Sequence, residues 1–243
     1  MSKTIVVMPA YNAAKTLEYT FKSIPTDCIN EVILVDDGSS DQTVDIAKEL
    51  GIFTIRHPHN AGYGANQKTC YTIALSREAD VIVMLHPDGQ YAPSIIRRMI
   101  QPILDNEADV VLGSRFLLPG GPLKGGMPFY KFLSNRFLTT IENMVLNQKL
   151  SEYHTGYRAY HKKVLETIPY LRNSNDFVFD QQLLFQVVAF GFRCLEIPVE
   201  TKYFPEASSI NFWRSVKYGI STINLSLVYL RHCIGFKSRL FVH

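Results

Sequence analysis

The segment His86-Pro87-Asp88-Gly89-Gln90 combines residue types that can bind a metal ion, and it follows the apolar run Val81–Leu85. In an extended segment alternate side chains project to the same side, so His86, Asp88 and Gln90 point together. Their imidazole, carboxylate and amide oxygen are suitable ligands for Mn²⁺ or Mg²⁺. A metal ion with so few protein ligands keeps positions open for diphosphate oxygens and stabilises a leaving group. A simple Pro-Asp-Gly turn explains the segment equally well.

Two adjacent acids, Asp36 and Asp37, follow a second apolar run at Glu31–Val35. An acid at a buried strand end needs a partner, because an unpaired buried charge is costly. Asp41 is explained as the cap of the next helix. Asp36 or Asp37 then remains to accept a hydrogen bond, for which a nucleobase N–H is suited. The alternative is a turn with two solvated acids.

Two glycines in Asn60–Asn66, Gly62 and Gly64, mark the start of a predicted helix. Glycines at this position let an anion approach the backbone closely. Lys68 lies one turn further along, within reach of a phosphate. The segment lacks the third glycine of a dinucleotide-binding fingerprint and follows the third strand rather than the first.

Three more charged residues are candidates for the site. Arg115 follows the fifth predicted strand and Arg158 lies in Thr155–Tyr160, and either could bind a diphosphate or an acceptor phosphate. A surface ion pair is the alternative for both. Asp180, at the start of a predicted helix, is either a general base or an N-cap.

Short apolar runs alternate with helical patterns in the first half of the chain. The predicted strands are Thr4–Met8, Glu31–Val35, Ile52–Arg56, Val81–Leu85 and Asp109–Leu112, and the helices between them are Ala14–Ile24, Asp41–Leu50, Ala65–Ser76 and Pro93–Asn106. This alternation predicts an α/β fold with a mostly parallel sheet and helices on both faces. Ligands bind such sheets at the carboxyl ends of the strands, where the polar segments described above lie.

The pattern changes after the fifth strand. We expect a loop at Pro119–Pro128, an amphipathic helix from Phe129, a helix at Asp180–Phe190 and a pair of strands within Cys194–Tyr203. Apolar residues at alternating spacings of three and four then predict a C-terminal helix: Trp213, Val216, Ile220, Ile223, Leu227 and Leu230. This stripe packs on the same domain, on a second copy of the chain as a homo-oligomer, or on a membrane surface.

Composition narrows the class of protein. The chain has 243 residues and a net charge of +3, which does not indicate a nucleic-acid partner. Six Lys or Arg residues but one acid lie between residues 202 and 243, a balance that suits anionic lipid or a phosphorylated acceptor. No stretch approaches the roughly 20 apolar residues of a spanning helix, and no secretory signal is recognisable. The four cysteines are scattered. A cytoplasmic protein is therefore expected, with contact at the inner face of the membrane as an extension.

These segments, in this order, resemble the family 2 glycosyltransferases of the GT-A fold, and especially the polyprenyl-phosphate (dolichyl-phosphate mannose synthase-like) sugar transferases. The matching segments are Met8–Asn12, Val35–Asp41, Asn60–Asn66, Pro87–Pro93, Gly113–Arg115, Thr155–Tyr160, Phe177–Gln181 and Tyr203–Asn211. The resemblance covers nearly the whole chain. It implies a GT-A catalytic domain at residues 1–204, with a nucleotide-binding half at 1–115 and an acceptor half at 116–204, followed by a helical tail at 205–243.

The resemblance also implies site residues. The donor site comprises Pro9, Ala10, Tyr11, Asn12, Asp37, Asn60, Gly64, Lys68 and Arg115. Asp88 and Gln90 match the metal and diphosphate positions, and His86, at the position of the motif's first acid, is the third expected metal ligand. Asp88, Arg158 and Asp180 are the implied catalytic residues, Asp180 as the acid that activates the acceptor, and Phe204–Ile210 resembles the acceptor-side loop.

The implied reaction moves a sugar from a UDP- or GDP-linked donor to a polyprenyl phosphate or a glycan of the cell envelope, with inversion and a divalent Mn²⁺ or Mg²⁺ cofactor. Two features depart from the family pattern. His86 replaces the first acid of the metal motif, and the membrane-spanning helices of many relatives are missing. A non-catalytic nucleotide-sugar-binding protein and a sugar nucleotidyltransferase remain as alternatives.

Overall fold

A computed structural model describes residues 2–203 and 212–242 of the chain. Its central feature is a seven-stranded sheet with the strand order β3-β2-β1-β4-β6-β5-β7. The strands are β1 (Thr4–Ala10), β2 (Glu31–Asp36), β3 (Phe53–Arg56), β4 (Val81–Met84), β5 (Val110–Ser114), β6 (Arg158–His161) and β7 (Cys194–Pro198). β6 is antiparallel to both neighbours, and all other neighbouring pairs are parallel. The predicted α/β fold with a mostly parallel sheet is confirmed.

Helices cover both faces of this sheet. They are α1 (Leu17–Lys22), α2 (Thr43–Glu49), α3 (Tyr63–Ser76), α4 (Ile96–Leu104), α5 (Gly121–Lys124), α6 (Phe129–Leu146), α7 (Lys162–Thr167), α8 (Phe179–Ala189) and α9 (Phe212–Cys233), with short 3₁₀ turns at Pro93–Ile95 and Tyr170–Arg172. Every residue of β1 is buried, because alternate side chains enter two separate cores. Ile5 and Val7 pack with Tyr71 of α3, and Val6 and Met8 pack with Leu17 of α1.

Three elements differ from the sequence-based expectations. The expected pair of strands in Cys194–Tyr203 is one strand, β7, followed by a single bridge between Thr201 and Tyr91. The expected loop at Pro119–Pro128 contains the short helix α5. Strand β6 was not predicted, and it inserts between β4 and β5.

The C-terminal helix is confirmed, but most of its apolar stripe is exposed rather than packed on this domain. Helix α9 lies against α6 and α8 through Leu225 and Ser226, which are buried. The stripe is largely exposed, with Trp213 at 77% and Ile220 at 64%, while Val216, Ile220 and Ile223 line a groove beside α6. Of the three alternatives, packing within the domain is therefore not supported for most of the stripe. Within residues 2–203 and 212–242, no helix combines the length and apolarity needed to cross a membrane.

Candidate active site

The loops that follow β1, β2 and β4 meet at the carboxyl edge of the sheet. The Asn12 N–H donates to Ser39 Oγ at 2.8 Å, which joins the first two loops. The Thr16 hydroxyl donates to the Pro87 carbonyl at 2.6 Å, which joins the first loop to the third. The Asn66 amide, near the start of α3, donates to the Val35 carbonyl at 3.0 Å. The segments Pro9–Asn12, Asp36–Asp41 and His86–Gln90 therefore form one rim, as expected for ligands of such a sheet.

Asp37 has partners on both carboxylate oxygens. Oδ1 accepts the Ala61 N–H at 2.9 Å and Oδ2 accepts the Gly62 N–H at 3.0 Å. The His57 imidazole, which the sequence did not single out, lies 2.7 Å from Asp37 Oδ1. Asp36 differs, because its Oδ1 is buried without a hydrogen-bond partner in the part of the chain that is described. Asp37 thus fixes the loop at residues 61 and 62, and its contact with a nucleobase stays a prediction.

The glycines at the start of α3 approach another backbone segment rather than an anion. The Gly64 N–H donates to the Asn175 carbonyl at 2.8 Å. A Cβ at Gly64 would lie 2.3 Å from the Ser174 carbonyl oxygen, and one at Gly62 would lie 2.6 Å from the Asn175 carbonyl oxygen. Such distances are far below van der Waals contact. This arrangement does not support the expectation that the glycines make room for a phosphate.

Lys68 belongs to the same contact. Its ammonium group donates to the Asn173 carbonyl and to Asn175 Oδ1, the latter at 2.8 Å. Burial lowers the pKa of Lys68 below its usual value. Asn60 and Tyr11 are exposed at the rim. The expected contact between Lys68 and a phosphate is therefore not supported by this geometry, in which the lysine holds residues 173–175 over α3.

The proposed metal-binding segment follows β4 and is a turn rather than the expected extended segment, with Gly89 at φ +71°. Alternation along a strand therefore does not align His86, Asp88 and Gln90. Asp88 is buried, and its Oδ1 accepts the Gln90 N–H at 3.0 Å. The His86 Nε2 lies 3.2 Å from the Tyr63 hydroxyl, and the two rings are stacked. Neither Asp88 Oδ2 nor His86 Nδ1 has a hydrogen-bond partner among the described residues. One oxygen and one nitrogen donor are thus left at this edge, a set that suits Mn²⁺.

A larger cluster of ligands is absent from the described ranges. Residues 2–203 and 212–242 contain no group of three or more His, Cys, Asp and Glu residues that could hold a metal ion. The expected ligand set has only one His and one Asp, with Gln90 as the third member. Such a set can hold a cation only if oxygen atoms of a bound diphosphate complete the coordination of the cation.

Asp180 accepts hydrogen bonds on both oxygens. The Tyr63 hydroxyl donates to Oδ2 at 2.7 Å, and the Gln67 amide donates to Oδ1 at 3.0 Å. The Arg158 guanidinium lies 3.6 Å from Oδ1. The sequence predicted no role for Tyr63 or Gln67. Their spacing of four residues at the start of a helix, which puts them on one face, is the signal that could have found them.

Arg158 is a buried tie between backbone segments. It is 1% exposed, and it donates to the carbonyls of Thr155 at 2.8 Å, Asp180 at 3.0 Å and Tyr153 at 3.1 Å. Its donors therefore satisfy carbonyl groups that would otherwise be buried without partners. This geometry does not support the predicted contact with a phosphate.

Arg115 is also paired within the chain. Its Nε donates to Glu152 Oε1 at 2.9 Å, and its backbone N–H donates to Oε2 at 2.9 Å. The guanidinium also donates to the His154 carbonyl at 2.8 Å and to the Tyr203 hydroxyl. Glu152 is fully buried and was not singled out in the sequence. The predicted acceptor-side loop Phe204–Ile210 begins directly after Tyr203 and lies outside the described residues.

Helix α9 contacts the helix that carries Asp180. Next to Asp180, the Gln181 amide donates to the Tyr218 hydroxyl of α9. His154 joins them, with Nδ1 at 2.8 Å from the Tyr218 hydroxyl. Its Nε2 lies 3.1 Å from Oε2 of Glu142, which is fully buried on α6. The tail is thus tied to the site by a polar cluster.

Comparison with known proteins gives the family. The profile described as "Glycosyl transferase family 2" matches residues 5–169. A polyprenol monophosphomannose synthase of Mycolicibacterium smegmatis is 28% identical over 205 residues, which cover 81% of this chain and 76% of that protein. A UDP-N-acetylglucosamine–dolichyl-phosphate N-acetylglucosaminyltransferase of Methanococcus voltae is 27% identical over 215 residues, which cover 82% of this chain and 85% of that protein.

Solved structures show the same fold. A glucosyl-3-phosphoglycerate synthase from Mycobacterium tuberculosis, in complex with UDP, superimposes with a TM-score of 0.73 at 17% identity and covers 94% of this chain and 80% of its own. The same enzyme with Mn²⁺ and UDP-glucose gives a TM-score of 0.71 over 98% of this chain and 81% of its own, also at 17% identity. These similarities confirm the GT-A fold. With the family profile matching most of the sheet and its loops, the chain belongs to glycosyl transferase family 2 and is a glycosyltransferase.

Proposed function

We propose that this glycosyltransferase moves a sugar from a UDP- or GDP-linked donor to a polyprenyl phosphate, with inversion at the anomeric carbon. The observation that carries the donor side is the pair of unpartnered ligand atoms, Asp88 Oδ2 and His86 Nδ1, at the rim formed by the loops after β1, β2 and β4. The names of the two relatives, a polyprenol monophosphomannose synthase and a dolichyl-phosphate N-acetylglucosaminyltransferase, support the acceptor class.

A divalent cation fits the donor side. His86 and Asp88, with Gln90, would hold Mn²⁺ or Mg²⁺ while diphosphate oxygens complete the coordination. A cation held by these residues would supply positive charge to neutralise the leaving nucleoside diphosphate. Asp88 is oriented by the Gln90 N–H and His86 by the Tyr63 hydroxyl.

The environment of Asp180 supports a phosphate acceptor over a sugar hydroxyl. A hydroxyl acceptor needs a general base, whereas a phosphate is already a nucleophile. Asp180 is the predicted base, but its oxygens already accept hydrogen bonds from Tyr63 and Gln67, and the Arg158 guanidinium lies 3.6 Å from Oδ1. Donors of the protein thus occupy the carboxylate that would have to accept the proton of a hydroxyl. We therefore assign Asp180 to the organisation of the site rather than to proton removal.

The exposed face of α6 and α9 fits a peripheral contact with the membrane that contains such an acceptor. A groove between the two helices is lined by Tyr130, Ser134, Phe137, Leu138, Ser215, Val216, Gly219, Ile220 and Ile223. Apolar side chains are exposed beside it, including Trp213 and Phe137. Arg136, Lys217 and Arg231 are exposed on the same helices, and each basic residue near an anionic surface contributes about 1 kcal/mol.

A transfer assay tests the donor and the acceptor together. The protein is incubated with a panel of UDP- and GDP-sugars, Mn²⁺ and a short polyprenyl phosphate in detergent, and lipid products are identified by mass. We expect a product with a sugar on the lipid phosphate for one donor. The matched control is the corresponding polyprenol, which lacks the phosphate and should remain unmodified. Transfer to a soluble glycan but not to the lipid phosphate would reject the proposed acceptor.

A further inference from the structure

The Tyr63 hydroxyl has one proton and two polar neighbours. It lies 2.7 Å from Asp180 Oδ2 and 3.2 Å from His86 Nε2. An ionised carboxylate can only accept, so the phenolic proton is directed to Asp180. Burial, followed by the negative charge of Asp180, raises the pKa of Tyr63 well above its usual value, so the phenol keeps this proton.

The direction of that bond determines the proton position on His86. Because the Tyr63 oxygen donates to Asp180, it can only accept from His86, whose Nε2 must then carry the hydrogen. In the neutral imidazole the lone pair is consequently on Nδ1. Nδ1 is the ring nitrogen without a hydrogen-bond partner in residues 2–203 and 212–242.

The His86 ring is also held in place sterically. A Cβ on Gly156 would lie 2.8 Å from His86 Cδ2 and 2.9 Å from Nε2, so only glycine leaves room for this edge of the ring. The Tyr63 ring stacks on the imidazole with an interplanar angle of 11°. A flip of the ring would place a carbon atom against the Tyr63 hydroxyl and lose the hydrogen bond.

Asp180 is in turn oriented by hydrogen-bond donors, one of which is the Gln67 amide group, held in a fixed orientation. The Tyr71 hydroxyl donates to Gln67 Oε1 at 3.0 Å, which turns the amide nitrogen of Gln67 toward Asp180 Oδ1. Arg158 completes the positive surroundings of the carboxylate. Along the chain from Tyr71 through Gln67 to Asp180, each residue therefore donates a hydrogen bond to the next.

We propose that Tyr63 and Asp180 are positioning residues that hold His86 as the Nε2–H tautomer and present the Nδ1 lone pair to the divalent cation. The identity of the ligand at Nδ1 rests on the proposed function, whereas the tautomer is a property of the free protein. A carboxylate at position 86 has no tautomer and would not need this support.

The first test is nitrogen NMR of protein labelled with ¹⁵N only in histidine, without nucleotide or metal. The sequence has seven histidines, and the signal that disappears in His86→Asn is assigned to residue 86. Well above the usual histidine pKa of about 6.5, we expect a protonated Nε2 whose hydrogen exchanges slowly with water. Tyr63→Phe should lose this protection. Tyr170→Phe, which removes a hydroxyl bonded to Thr72 instead, should retain it.

Asp180→Ala makes a stronger prediction. Without the carboxylate the Tyr63 proton is free to be donated to His86 Nε2, so the imidazole should change to the Nδ1–H tautomer. A wild-type protein with the Nδ1–H tautomer would overturn the proposal. So would a folded Asp180→Ala protein whose His86 is unchanged. If this variant does not fold, the wild-type and Tyr63→Phe spectra still show whether Tyr63 holds His86 as the Nε2–H tautomer.

The second test is calorimetry of UDP binding with Mn²⁺. Loss of a group that orients a metal-binding histidine typically weakens metal affinity about 10- to 100-fold. We expect that loss in Tyr63→Phe, no change in Tyr170→Phe, and a smaller effect of Tyr63→Phe when His86 is already Asp. Equal affinity of Tyr63→Phe and wild type would overturn the role of Nδ1. GDP replaces UDP in this test if wild type binds only GDP. Failure of wild type to bind either nucleotide with Mn²⁺ would overturn that role together with the proposed donor, while the NMR result for the free protein would stand.

Discussion

Replacing Gly64 with alanine would place a methyl group where another backbone segment already lies. The new Cβ would be 2.3 Å from the Ser174 carbonyl oxygen and 2.8 Å from Phe179 Cβ. Neither neighbour is the end of a flexible side chain, so residues 174–179 must move. Gly219, on α9, offers a matched control, because its added Cβ would meet only Leu138 Cδ1 at 3.8 Å, an ordinary contact.

The expected magnitudes follow from these distances. Overpacking typically costs about 1–3 kcal/mol, and loss of the Gly64 N–H bond to the Asn175 carbonyl adds about 1 kcal/mol. The higher helix propensity of alanine raises the free energy of unfolding by up to about 1 kcal/mol, which offsets part of this loss. Gly64→Ala should thus lower the free energy of unfolding by about 1–4 kcal/mol. Gly219→Ala should raise it by up to about 1 kcal/mol, because only the helix propensity changes.

Urea denaturation of both variants and of wild type measures the difference, provided that the slope with urea is unchanged. The alternative derived from sequence, in which Gly64 makes room for an anion, predicts a different result. It predicts unchanged stability and weaker nucleotide binding for Gly64→Ala. A denaturation midpoint of Gly64→Ala at or above that of wild type would refute the contact with residues 174–179.

Four further variants test other parts of the molecule. Arg158→Lys should lower the free energy of unfolding by about 3 kcal/mol or more in urea, because it unpairs buried carbonyls and a carboxylate; unchanged stability with lost donor binding would return Arg158 to a phosphate role. Asp88→Ala should remove the Mn²⁺-dependent part of UDP affinity in calorimetry, and affinity equal to wild type with Mn²⁺ would reject the shared metal and donor site. His86→Asp should keep or improve Mg²⁺-supported transfer, because a carboxylate is the harder ligand; complete loss of nucleotide binding would assign His86 a structural role. The double variant of Ile220→Ser and Leu227→Ser should abolish flotation with anionic vesicles and leave the oligomeric state intact, whereas conversion of a dimer to a monomer would assign the stripe to a second copy.

The parallel part of the fold was predictable because its signals are local. β1, β2 and β4 are continuous apolar runs followed by polar turns, which is the pattern of strands buried on both faces. β6 gives no such signal. Its four residues begin with Arg158, and an arginine becomes acceptable in a buried strand only when distant carbonyls accept its hydrogen bonds. Those partners exist only in the folded chain.

The same distinction applies to the site. The motifs at the strand ends placed Asp37, His86 and Asp88 on one rim, since strand direction alone brings them together. The hydrogen-bond partners of the site residues could not be predicted in this way. That Asp180 is bonded to Tyr63, and that Gly64 faces Asn175, depends on how α8 and the segment before it pack on α3. Spacing puts Tyr63 and Gln67 on one face of α3 but does not say which residues of α8 that face meets. Charged residues that were assigned to phosphates therefore proved to have partners within the protein.

The place of β6 in the sheet also sets an order for synthesis and folding. β4 and β5 precede β6 in the chain, yet they join only through it. A chain emerging from the ribosome therefore has both strands complete before the strand that connects them exists. Contacts between such distant segments form slowly, because closing a long loop is entropically unfavourable. Until His161 has emerged, Val110–Leu112 is an apolar strand with an open edge, which is a site for pairing with another chain. The topology therefore requires that nascent chains be kept from associating through this edge until β6 has been synthesised.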